Sequence, residues 1–91
     1  MATLILANGE YRAVAPAGDT FTLREMYDLL DCSCVQAIFL MAGRVMWIDD
    51  EGKFKPHEPN RIATTLLQEA GGIPGDYIAG NALVTDAGEV D

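Results

Sequence analysis

The sequence predicts an α+β fold on three observations. An Asn8-Gly9 turn separates two short strand-like runs, a second pair of such runs flanks Gly43, and two segments with helical apolar spacing begin at polar caps. The predicted order is strand, strand, helix, strand, strand, helix, strand. It implies a mixed or antiparallel sheet with two helices on one face, with a β-grasp-like layout as one candidate topology. Residues 1–86 are expected to form a single α+β domain and residues 87–91 a flexible acidic tail.

Each element has a local reason. Thr3-Leu4-Ile5-Leu6-Ala7 is apolar, and Asn8-Gly9 turns it into Tyr11-Arg12-Ala13-Val14, the strongest short-range hairpin signal. Pro16-Ala17-Gly18-Asp19 ends that strand. Thr22-x-x-Glu25 is a capping-box pattern, followed at helical spacing by Leu23, Met26, Tyr27 and Leu30, with an end near Asp31 or Cys32. Val35–Leu40 and Arg44–Ile48 read as a second hairpin around Met41-Ala42-Gly43, closed by the tight acidic turn Asp49-Asp50-Glu51-Gly52. Lys53-Phe54-Lys55 reads as a short edge segment, and Pro56 and Pro59 enforce extended chain around His57-Glu58. Asn60 caps a second helix, with Ile62, Leu66, Leu67 and Ala70 on one side and Gly71-Gly72 as its stop. A final strand is expected over Tyr77–Thr85, with Gly80 marking a bulge or close backbone approach.

Composition bounds the class. Of 91 residues 49% are hydrophobic, which excludes the disordered class and suffices for one modest core. The longest apolar stretch, Val35 to Ile48, is broken by Gln36, Gly43 and Arg44, so no membrane helix is expected. No basic leader precedes Thr3-Leu4-Ile5-Leu6 and no cleavage site follows it, which makes the cytoplasm the expected compartment. Fourteen acidic residues against six basic ones give a formal charge of −8, which repels phosphate backbones and disfavours direct nucleic-acid binding. The same charge suits association with basic partners.

Few residues combine into chemistry. Cys32 and Cys34 with His57 would supply three zinc ligands and no fourth, so two packed thiols explain the pair better than a metal site. His57 and Ser33 are the sole residues of their types, without a Gly-x-Ser-x-Gly elbow, and His57 reads as an exposed loop residue. Asp49-Asp50-Glu51 lacks the calcium-loop pattern, and Gly71-Gly72-Ile73-Pro74-Gly75-Asp76 follows a helix and lacks Gly-Lys-Ser/Thr, so it is no phosphate cradle. Tyr27, Phe39, Trp47 and Tyr77 lie inside apolar stretches and read as core, with Trp47 the one reserved for a partner surface if exposed. No cofactor, catalytic residue or metal site is expected.

Asp50-Glu51-Gly52-Lys53, Pro59-Asn60-x-x-Ala63-Thr64 and Gly75-Asp76-x-Ile78-x-Gly80-x-Ala82-Leu83-Val84 together resemble a domain-of-unknown-function family, number three-eight-four-six, of small phage, plasmid and bacterial accessory-DNA proteins. The Thr22-Leu23-x-x-Met26 segment fits its N-terminal part. The chain departs from the family at Asp31-Cys32-Ser33-Cys34, where members commonly carry glycine. The resemblance implies a mobile-element accessory protein of a prokaryotic cytoplasm and supplies no catalytic residue.

The expectation is therefore a small acidic, non-enzymatic interaction protein that binds and modulates a host or phage protein. An anti-restriction or anti-CRISPR-like inhibitor is one form of it, and a homodimer through a strand edge stays open. Candidate binding residues are Trp47, Asp49, Asp50, Glu51, Asn60, Asp76 and Asn81. The alternative, motivated by Gly75-Asp76 and Gly80-Asn81, is a small-ligand binder, for example one that binds or sequesters a nucleotide. An anionic ligand would require Arg12, Arg24, Arg44 or Arg61 to converge.

Overall fold

The computed structural model describes residues 2–90. Its elements are β1 (Ala2–Ile5), β2 (Tyr11–Val14), α1 (Leu23–Leu30), β3 (Val35–Phe39), β4 (Arg44–Asp49), β5 (Pro59–Asn60), α2 (Arg61–Glu69), β6 (Ile78–Ala79) and β7 (Ala82–Asp86). Five strands form one sheet in the order β2-β1-β7-β4-β3, and β5 pairs with β6 in a small second sheet. Every pairing between these strands is antiparallel. The α+β class, the antiparallel sheet and the element order follow the sequence reading.

Local chemistry explains the helices. The Thr22 hydroxyl accepts the Glu25 N–H at 3.2 Å, while the Glu25 carboxylate accepts the Thr22 N–H at 3.1 Å, completing the capping box. The same carboxylate accepts the Ala17 N–H at 3.0 Å, and these amides, Ala17 first, lower the Glu25 pKa. Asp31 then ends α1 in the left-handed conformation, with φ 51°. In the β3–β4 hairpin, Ala42 and Gly43 both take positive φ, at 62° and 71°.

The helices lie on opposite faces of the sheet, which corrects the expectation of both on one. Alternation along β1, β4 and β7 sends Leu4 and Leu83 into a cluster with Phe21, Met26 and Leu30. Ile5, Met46, Ile48, Ala82 and Val84 go into a second cluster with Ala63 and Leu67 of α2. The central strands are thus covered twice, which is why their sequences read as continuous apolar runs instead of strict alternation. A β-grasp layout is likewise replaced, because β1 and β7 pair antiparallel in the middle of the sheet and a helix lies on each face.

Two boundaries differ from the sequence reading. The final strand is split into β6 and β7 because Gly80 takes φ +87°. Residues 87–90 are a short 3-10 turn and a bridge instead of a tail. The Phe21 N–H donates to the Glu89 carbonyl at 2.7 Å, and Val90 pairs with Phe21 and packs on the α1 side of the core. Asp91 lies outside the described residues. Among the described residues no helix is long and apolar enough to cross a membrane.

Candidate functional site

The segment from the end of β4 to the start of α2 is organised around one buried carboxylate. Asp49 is 4% exposed. One of its oxygens accepts the Lys55 ammonium at 2.8 Å and lies 3.2 Å from His57 Nε2, and the other accepts the Glu51 N–H at 2.9 Å. Burial pushes the Asp49 pKa up, but Lys55, the Glu51 amide and His57 together outweigh it and hold the carboxyl below its ordinary value. The Lys55 pKa rises in turn, chiefly through its bond to Asp49. His57 is therefore a largely covered side chain fixed on Asp49, not the exposed loop residue expected. Its ring rests against Gly80, where a Cβ would come within 3.1 Å of it.

A second buried polar residue ties this turn to the sheet. The Asn60 side chain caps α2 by accepting the Ala63 N–H at 3.1 Å, and its amide donates to the Ile5 carbonyl at 3.0 Å and the Gly80 carbonyl at 2.9 Å. One turn later the Thr64 hydroxyl donates to the Asn60 carbonyl at 2.7 Å and accepts the Ile78 N–H at 2.9 Å. Gly52 is buried, and a Cβ there would lie 2.8 Å from the Ala79 carbonyl oxygen, so the close approach of the two backbones requires glycine. The sequence motifs of residues 49–84 are thus largely a structural frame.

That frame borders an open cleft of about 160 Å³ on the α2 side of the sheet. Ile38 and Ile48 of the sheet and Leu67 of α2 give it an apolar floor, and Phe54 and Tyr77 stand at its mouth. Phe54 is 90% exposed and Tyr77 41%. Asp50 and Asp76 also line it, together with Lys53, which pairs with Asp76 and sits 4.9 Å from the centre of the Tyr77 ring. The Asp76 pKa is lowered, first by Lys53 and then by the Tyr77 amide. Gln68 holds this wall in place by donating to the Ile73 and Asp76 carbonyls at 3.1 and 3.0 Å.

The structure brings Asp49, Asp50 and Asp76 together at this cleft, although Asp49 is turned inward. Glu51 is exposed on the adjoining turn. Asn60 is fully buried and has a structural role. Trp47 is half-buried on the α1 face, with its indole N–H donating to the Thr85 hydroxyl at 3.1 Å. Asn81 lines a separate cleft of about 190 Å³ with His57 and Asp31, and its carbonyl accepts the Ala7 N–H at 3.3 Å. Sequence reasoning missed Phe54, Lys53, Ile38 and Tyr77 as a unit. Lys53-Phe54-Lys55 read as a strand edge, whereas Gly52–Phe54 is a 3-10 turn that throws Phe54 outward. Phe39, expected in the core, is 77% exposed on edge strand β3.

Cys32 is half-buried, and burial, reinforced by the Asp49 charge, raises its pKa. Cys34 is exposed. Among the described residues no three His, Cys, Asp or Glu side chains converge to hold a metal ion.

The chain belongs to the family described as Domain of unknown function (DUF3846), whose model matches residues 1–91. No curated protein and no solved structure matches it.

Proposed function

We propose that this family member is a small acidic interaction protein, without enzymatic activity, that takes a basic segment of another protein into the cleft between Phe54 and Tyr77. The observation that carries this reading is Phe54, an aromatic ring 90% exposed over an apolar floor and beside the carboxylates of Asp50 and Asp76. Exposed aromatic anchors in apolar depressions are where binding energy concentrates, and a carboxylate rim selects cationic neighbours. Lys53 and Lys55 are paired with Asp76 and Asp49, so each pair is close to neutral and Asp50 supplies the free charge at the rim. The partner would be a host or phage protein, and blocking a nucleic-acid groove of a defence component is one outcome such a surface supports.

A nucleotide-sequestering role is weaker. The cleft of about 160 Å³ is smaller than the usual ~300–1,000 Å³ of small-molecule sites and carries the free carboxylate of Asp50. A larger cleft of about 310 Å³ on the same face is lined by Arg44 without Arg12, Arg24 or Arg61. The test is capture of partners at low salt by the wild-type protein and by Phe54→Ser. A stoichiometric partner that leaves as salt rises and is lost at least tenfold with Phe54→Ser is expected. Equal capture by both proteins, or no capture by either, would sink the cleft reading.

A further inference from the structure

The two edges of the five-stranded sheet are chemically unlike. On one side, β2 carries Arg12, and its Tyr11 is exposed. On the other, β3 is Val35-Gln36-Ala37-Ile38-Phe39, without a charge or a proline in a protein of formal charge −8. Sheet edges left free are normally blunted by charge, proline or a bulge. This one has none of these devices, and it ends in a Phe39 ring that is 77% exposed.

The direction of its main-chain groups follows from the ladder with β4. The Leu40 N–H donates to the Arg44 carbonyl at 2.9 Å and the Asp50 N–H to the Cys34 carbonyl at 3.1 Å. Even-numbered residues of β3 therefore turn their amides and carbonyls toward β4, and Val35, Ala37 and Phe39 turn theirs outward. The outward set is symmetric about Ala37.

The geometry points to a second copy of this chain as the occupant of that edge, paired antiparallel through β3 about a two-fold axis at Ala37. Ala37 meets Ala37 of the other copy, and Val35 meets Phe39 in both directions. Each such pairing exchanges two main-chain hydrogen bonds, because each uses outward-facing groups only. On the α1 face the exposed Phe39 ring falls beside Val35 of the other copy. On the α2 face Gln36 falls beside Ile38, so the two Phe54–Tyr77 clefts open side by side on one surface.

Charge supports the self-pairing. The neutral strip lets two anionic chains meet. In the same register, the row holding Arg44 and Leu40 continues into Cys34 and Asp50 of the other copy. Arg44 and Asp50 share the α2 face, and three strand steps separate them by about 14 Å. Arg44 makes no ion pair among the described residues, with Asp86 of β7 opposite it in the ladder. This reciprocal attraction favours the antiparallel register over others, while the charge of −8 on each copy makes association stronger as salt rises.

The test measures molar mass in solution by light scattering across a concentration series for three proteins: wild type, Phe39→Lys and Tyr11→Lys. A concentration-dependent rise to twice the chain mass is expected for wild type and for Tyr11→Lys, and a monomer for Phe39→Lys with an unchanged circular dichroism spectrum. Ala37→Cys in a Cys34→Ser background supplies a second readout. Its introduced thiols, about 5.5 Å apart at Cα in a hydrogen-bonded pair, should be joined across the two copies by a short bifunctional maleimide. A wild-type monomer at every concentration would overturn the inference. So would a dimer abolished by Tyr11→Lys but not by Phe39→Lys, or a dimer in which the Ala37→Cys thiols fail to join.

Discussion

Asn60 satisfies three main-chain groups from one buried side chain, and the groups belong to three parts of the fold: α2, β1 and the Gly80 turn. A cap alone needs only the acceptor, which serine supplies almost as well. Serine is too short to bridge the Ile5 and Gly80 carbonyls as well. Asn60→Ser and Asn60→Ala are both expected to destabilise the protein, by about 2–4 kcal/mol for alanine and by most of that for serine. Urea unfolding midpoints check it. A serine variant as stable as wild type would reduce Asn60 to a simple cap.

At the scale of an element, the turn from Asp49 to His57 is held from inside. Its centre is a carboxylate whose pKa is depressed in the folded state, so its contribution follows the usual acid linkage. Above the unfolded-state pKa, about 3.9, the contribution is fully present, and it is lost as pH falls through the lower folded pKa. Stability should therefore fall on the acid limb below about pH 4. Asp49→Asn should be less stable at neutral pH and show a flatter acid limb. Chemical denaturation repeated across pH measures both, and parallel acid limbs would show that other carboxylates dominate.

The charge balance acts on the molecule as a whole. Fourteen acids and six bases repel one another on a small body, while the ion pairs Lys53–Asp76 and Lys55–Asp49 hold one end together. Salt shortens the Debye length from about 30 Å at 0.01 M to about 8 Å at 0.15 M, which screens long-range repulsion more than a pair at contact. The thermal midpoint is expected to rise by a few degrees over that range, read by calorimetry. A midpoint that falls would show that the ion pairs outweigh the repulsion.

Periodicity and local caps were enough to place the elements. Asn8-Gly9, Thr22-x-x-Glu25, Gly43 and Asn60 each act within a few residues of themselves, so the strands and helices they bound could be read in order. The family was legible too, because the motifs that carry the resemblance are local turns and caps. What side each helix takes was settled only by the packed sheet, since an apolar run does not say which of its two faces meets which helix. The same holds for the site. His57 meets Asp49 and Gly80, Phe54 swings outward on a 3-10 turn, and Phe39 is left on a bare edge because strand order, not spacing along the chain, fixes those neighbours. Short-range chemistry thus determined the elements, and tertiary contacts between distant segments decided which side chains became core and which became surface.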